Sequence, residues 1–195
     1  MWDADRKPPR LRPMRARRQQ GSTAVEFAML AVLFFTLVFG VLEVARLIYL
    51  FNTLQEVTRR AAALAINSPF DPDSQKTVRE RAMLMDKNGT LVLGAPVTPA
   101  HLKLEYLSLS RVNASTLTTP RVDPLPADPA ANRINCLTDP YGNNCIRFVR
   151  VRVCQPDAAD GCTPVQYQML FPLINLSGLN LPRSETIVPA QTLGF

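Results

Sequence analysis

All four cysteines lie in the last third of the chain: Cys136, Cys145, Cys154 and Cys162, separated by nine, nine and eight residues. Thiols in such an array either oxidise in pairs or ligate zinc. Zinc knuckles place their cysteines two to four residues apart, which these intervals do not match. An even number of cysteines in a segment outside the cytoplasm points to disulfides, and three pairings are open. Joining sequence neighbours, Cys136 to Cys145 and Cys154 to Cys162, closes two loops that contain turn residues. Gly142-Asn143-Asn144 lies in the first, and Pro156, Asp157 and Asp160-Gly161 in the second. Loops this short gain about 2–3 kcal/mol each from a bridge on the chain-entropy account.

Other reactive side chains are sparse. His101 is the one histidine and adjoins Leu102 and Lys103, as a surface or strand-edge histidine does. Asp71, Asp73, Asp157 and Asp160 read as cap and turn residues. Asp71-Pro72-Asp73-Ser74 lacks the glycine and the closing glutamate of a calcium loop. The phosphate-binding pattern G-x-x-x-x-G-K-[ST], the nucleophile pattern G-x-S-x-G and the zinc pattern H-E-x-x-H are all missing. No catalytic residue, metal or cofactor is expected, and the protein is not read as an enzyme. Glu43 and Arg46 are three residues apart on one helical face. They read either as a solvated ion pair at an outer membrane interface or as a contact between subunits. Glu26 is a single carboxylate at the edge of an apolar run. That placement is costly and needs a role, either capping a first helical turn or assembly.

The elements that hold these residues follow from the hydropathy pattern. Phe27 to Leu42 is a stretch of sixteen uncharged residues, and from Ala24 only Glu26 interrupts. Nineteen helical residues span ~28 Å, close to the hydrocarbon thickness of a bilayer. After Arg46 the pattern becomes amphipathic. Leu47, Phe51, Leu54, Val57, Ala61 and Leu64 fall on one face, and Asn52, Gln55, Glu56, Arg59 and Arg60 on the other. Thr23 and Glu26 fit a capping box, and Asn67-Ser68-Pro69 supplies a stop. One helix from Thr23 to Ile66 is expected, with a break near Gly40 as the alternative.

Net charge is +6, yet residues 1–21 hold seven basic and two acidic side chains. The basic character therefore belongs to a short arm ahead of the apolar run, a topology signal rather than a nucleic-acid surface. No nucleic-acid partner is expected. The arm stays in the cytoplasm and the remaining bulk lies outside.

Beyond the long helix, a second one is expected from Pro72 to about Asp86, capped by Asp71 and ended by Asn88-Gly89. Leu102–Tyr106 and Ile146–Cys154 read as strands, the latter with a bulge at Phe148-Val149 and arginines 147, 150 and 152 on a solvent face. Val165–Phe171 reads as a third strand and Ser184–Val188 as an edge strand. Residues 118–134 contain four prolines and read as an irregular loop, and residues 172–183 as a leucine-rich one.

The run Arg17-Arg18-Gln19-Gln20-Gly21-Ser22-Thr23-Ala24-Val25-Glu26-Phe27 resembles the class III signal of type IV prepilins and pseudopilins. The resemblance implies cleavage after Gly21 by a prepilin peptidase. The mature chain would start at Ser22, and Glu26 would pair with the Ser22 amine of a neighbouring subunit. Glycine suits a scissile site because it admits close backbone approach and resists helix continuation. Residues 21–66 as a whole resemble the N-terminal region of TadE-like proteins, pseudopilins of the tight adherence (Flp-type) pilus system. Glu43, Asn52, Gln55, Arg59, Arg60 and Ala61 carry that likeness beyond the signal. A weaker likeness lies in Phe171-Pro172-Leu173 through Leu179 and in Ser184-Glu185-Thr186.

The resemblance implies a pilin-like α+β protein. Residues 1–21 form a basic cytoplasmic leader, 22–67 a transmembrane and amphipathic helix, and 68–195 an extracytoplasmic α+β domain with disulfide-bridged loops. The chain would be a minor pilin or pseudopilin in the bacterial inner membrane, with a periplasmic or extracellular domain. Its partners would be other pilins and the pilus assembly platform. The alternative is an uncleaved single-pass anchor whose outer domain binds a secretion or pilus component.

Overall fold

A computed structural model describes residues 20–113, 115–156, 161–171 and 178–193, with side chains from residue 23 onward. The basic arm up to residue 19, the turn at Asp157 and Asp160, and residues 172–177 of the leucine-rich loop lie outside the described residues.

Helix α1 runs unbroken over Gln20–Ala65, 46 residues. Gly40 does not interrupt it. One glycine costs a helix about 1 kcal/mol, a small term against the long run of alanine, leucine and other helix-forming neighbours. Compact units divide between Phe39 and Gly40. In the first, the described side chains belong to α1 alone, and nearly all are exposed.

The second unit has an apolar core built on the amphipathic half of α1. Leu50, Leu54, Val57 and Ala61 recur at helical spacing and are fully buried, and Ala62 and Ala65 join them. They share one core cluster with the inner face of a three-stranded antiparallel sheet. Its strands are β1 (Leu102–Leu107), β4 (Phe148–Val153) and β5 (Glu185–Pro189), in the order β1-β4-β5. Leu102, Leu104 and Tyr106 of β1 point inward with Val149, Val151 and Val153 of β4, the two-residue period of a half-buried sheet. A separate two-stranded ribbon pairs β2 (Ser110–Arg111) with β3 (Leu117–Thr118).

The sheet differs from expectation in two places. β4 has no bulge: Phe148 opposes Leu107, Val149 opposes Tyr106, and the register continues evenly to Val153 opposite Leu102. Arg147 precedes the strand, which removes the apparent change of phase. Residues 165–171 do not form a strand; only a bridge between Gln166 and Asn180 forms there. Arg150 and Arg152 do face outward but are not simply solvated. Both hold Glu105, each at 2.7 Å, in a directly opposed and diagonal cross-strand arrangement.

Helix α2 covers Pro72–Ala82, capped by Asp71, whose carboxylate accepts from Ser74 N. It ends four residues short of expectation because Met83 turns extended and Met85 bridges Leu91 across a turn. Asp86 organises that turn by accepting from Asn88 N and Thr90 N, and Gly89 provides the positive φ of 75°. Helix α3 covers Pro129–Thr138, beginning inside the 118–134 stretch read as an irregular loop and running past it. Asp128 caps it through Ala131 N, and Pro129 occupies its first turn. Its one buried side chain is polar: Asn132 accepts from Ile146 N at 2.8 Å. Cys136 of α3 is bonded to Cys145, and Cys154 to Cys162.

The fold is thus α+β, with a long apolar N-terminal helix, a small antiparallel sheet and two disulfide-bridged loops.

Candidate functional site

Two parts of α1 carry features that folding of the domain alone does not require. The first is its N-terminal stretch. α1 contains a segment long and apolar enough to cross a membrane, and its most apolar eighteen-residue window has no buried residue. Phe27 and Met29 are 73% and 70% exposed, and Leu30, Val32, Leu33 and Leu37 are similar. Water would not tolerate so much bare apolar surface, so this face is made for lipid or for other helices. Thr36 is the one hydroxyl residue between Val25 and Gly40, and it donates to Val32 O at 2.7 Å. That local bond satisfies a polar group which hydrocarbon cannot.

Glu26 lies on the exposed surface of this stretch. Helical backbone extends through Gly21 and Ser22. Thr23 is therefore inside the helix, and Thr23 and Glu26 do not occupy capping-box positions. Once a helix has nucleated, adding turns at its end is cheap, which favours this extension past Thr23.

The second part lies one residue past the apolar run. Glu43 and Arg46 are only 5% and 7% exposed. The expectation of a solvated pair is overturned here, because the domain encloses both side chains. Arg46 Nη1 donates to Glu43 Oε1 at 3.2 Å, to the Tyr167 hydroxyl at 3.2 Å and to Gln168 O at 2.7 Å. Its Nε donates to Leu93 O at 2.7 Å. The guanidinium also sits 5.1 Å from the Tyr167 ring centre. Glu43 Oε1 accepts from the Tyr167 hydroxyl at 2.5 Å and from Leu170 N at 3.2 Å. Its Oε2 is buried and has no hydrogen-bond partner among the described residues.

This cluster is a polar clamp. It fastens α1 to two loops more than forty and more than a hundred residues away in sequence, and a planar guanidinium suits that task by reaching several carbonyls at once. Burial, together with donation to Glu43, pushes the Tyr167 hydroxyl up to about 12, so it stays a donor at neutral pH. The i,i+3 spacing of Glu43 and Arg46 was visible in the sequence. Tyr167, which completes the cluster, carried no local signal.

The remaining residues of interest are structural. His101 is buried rather than on the surface. Its Nδ1 accepts from Thr98 N at 3.0 Å, and burial holds its pKa below the usual imidazole value. The cysteines are all bridged among the described residues, and no group of three or more His, Cys, Asp or Glu side chains is placed to hold a metal there. A polar hollow between α3 and the 139–145 loop is lined by Asn135, Thr138, Asp139, Asn143 and Asn144. It presents no nucleophile beside a base.

Compared with known families, residues 21–63 match the TadE-like protein family. The match covers the apolar stretch, Glu26, Glu43 and Arg46, and it ends within α1. Searches of curated proteins and of solved structures found no match.

Proposed function

We propose, from the premise that residues 21–63 are a TadE-like stem, that the chain is a structural component of a tight adherence pilus system. In this reading it is a minor pilin or pseudopilin rather than an enzyme. The observation that carries the reading is the bare apolar stretch of α1, followed along the same helix by residues that a charged clamp fastens to the folded domain. Such a helix suits two environments in turn: lipid before assembly, and neighbouring apolar helices after it. Without a hydrophobic drive between helices in lipid, close packing and polar register contacts decide association.

Within that function, a prepilin peptidase cuts between Gly21 and Ser22 and leaves the stem as the mature N-terminus. The cut requires the first turn of α1 to open, and terminal turns open at little cost. The new amine of Ser22 is then neutralised by Glu26 of a neighbouring subunit. A buried polar contact of this kind fixes register in a helical assembly. The domain from residue 68 onward lies outside the cytoplasmic membrane, where its cysteines meet oxidising conditions.

The test is mass spectrometry of the protein extracted from native membranes. Wild type should lack residues 1–21, and Gly21→Val should retain them. A wild-type chain that keeps Met1 would replace this reading with that of an uncleaved membrane anchor. Glu26→Ala should still be cleaved, yet lower pilus output; unchanged output would remove the assembly role of Glu26.

A further inference from the structure

Charged residues make up 19% of the chain, yet residues 88–100 and 161–182 contain no Asp, Glu, Lys or Arg. These two runs are the ones the clamp gathers to α1. Arg46 holds Leu93 O in the first, and Glu43 accepts from Leu170 N in the second. Both runs show apolar side chains to the outside: Leu93 is 56% and Leu170 54% exposed, and Val92 is exposed as well. Leu84 adds a further exposed leucine beside Val92, whose N–H donates to Leu84 O.

We propose that this rim of the domain, formed by the loop around Leu84, Val92 and Leu93 together with Leu170, is a lipid-contacting surface that rests in the interfacial zone of the bilayer. The proposal depends on α1 crossing a membrane and goes beyond it, because a stem can cross while its domain stays in water.

Three observations point to lipid as the occupant. Glu43 and Arg46 are the first charged residues after the apolar run, so the rim they tether sits at the level where hydrocarbon gives way to headgroups. At the same level of α1, Leu42 and Val44 flank Glu43 and are more than half exposed, so the apolar surface continues from helix to rim. Leu93 adopts a positive φ of 55°, which a leucine accepts only at a cost of about 1–2 kcal/mol. Glycine or asparagine would relieve that strain, but neither would present a large apolar side chain outward. Single exposed leucines are ordinary; Val92, Leu93 and Leu170 in two charge-free runs held by one buried clamp, with Leu84 beside them, are not. Interfacial segments of this kind bury their apolar side chains to a depth of about 5–10 Å. The clamp would then fix how deep the stem sits.

Single-tryptophan variants of the full chain test this. In a Trp2→Phe background, Leu93→Trp and Leu170→Trp report the rim, Leu33→Trp the span, and Leu137→Trp, at an 85% exposed site on α3, serves as a surface control outside the rim. Each is reconstituted in phosphatidylcholine and phosphatidylglycerol vesicles carrying bromine at shallow or deep acyl positions. Positions 93 and 170 should emit at shorter wavelength than 137 and be quenched most by shallow bromine. Position 33 should be quenched most by deep bromine, and 137 by neither. Quenching at 33 with none at 93 and 170 would overturn the lipid rim and leave the stem intact. No quenching at 33 would remove the spanning reading itself. A blue shift at 93 and 170 without quenching would replace lipid with a protein partner and refute the proposal.

Discussion

Replacing Arg46 with methionine removes the hub of the clamp while keeping much of its apolar bulk. Four hydrogen bonds go, to Glu43, Tyr167, Gln168 and Leu93. Two loop carbonyls lose that donor, and Glu43 keeps two donors but no countercharge among the described residues. Removing one partner of a buried ion pair costs about 3–5 kcal/mol, most of it the penalty of the stranded charge. For a folded unit of this size, that lowers the thermal midpoint by about 6–20 °C. Glu43→Gln in the same chain removes the stranded charge, so the double variant should be more stable than Arg46→Met alone. A double-mutant cycle should therefore give a coupling of at least about 1 kcal/mol. The measurement is thermal unfolding of the full chain in detergent micelles, followed by near-ultraviolet circular dichroism. An Arg46→Met midpoint within two degrees of wild type, or a double variant no better than the sum of the singles, would refute the clamp as a stabilising contact.

Tyr106 and Tyr167 are both pushed up to about 12, burial being the main cause. The folded state thus favours the protonated phenol. The stability this confers is complete below pH 10 and is lost as pH rises from 10 to 12. Alkaline unfolding should accordingly be less steep over that interval in Tyr167→Phe, with phenolate absorbance as the readout. Burial alone would raise the Glu105 carboxyl, but hydrogen bonds from Arg152 and Arg150 outweigh it and hold the group below its ordinary value. Its contribution is present above pH 4.5 and disappears as pH falls through the folded value, so the stability lost in Glu105→Gln should be largest at neutral pH and shrink as the pH of urea titrations is lowered below 4.5. Cys136→Ser with Cys145→Ser should cost about 2–3 kcal/mol by the loop-entropy account. It should also speed amide exchange in α3, which packs through Asn132 and that bridge; unchanged exchange would show that the helix needs no tether.

α1 was legible almost entirely, because apolar and amphipathic periodicities meet in one uninterrupted pattern. So were β1 and β4; the alternation of β4 matches its burial, while in β1 Glu105 and Leu107 are buried as well. Residues 165–171 misled for a physical reason. Their alternation is real, since Val165 and Tyr167 are buried and pair with Leu181 and Leu179 through the backbone, but the pairing goes no further, because Gln168 O and Leu170 N are taken by Arg46 and Glu43 of α1. Helix α3 hid behind prolines, although Asp128-Pro129 repeats the cap-and-proline start of Asp71-Pro72. The Glu43–Arg46 spacing was evident while its burial was not. The enclosing groups, Leu93, Tyr167, Gln168 and Leu170, lie far along the chain, and nothing in the local pattern announces them.

The segment 185–193 supplies β5, the Thr186 hydroxyl that meets Thr58 on α1, and the buried Leu193. It is also synthesised more than a hundred residues after α1. Until it arrives, the inner stripe of α1 from Leu50 to Ala65 has an incomplete cover. Translation therefore presents a sticky, half-dressed rod long before the piece that finishes it, and chaperoning of that interval falls to whatever receives the emerging chain.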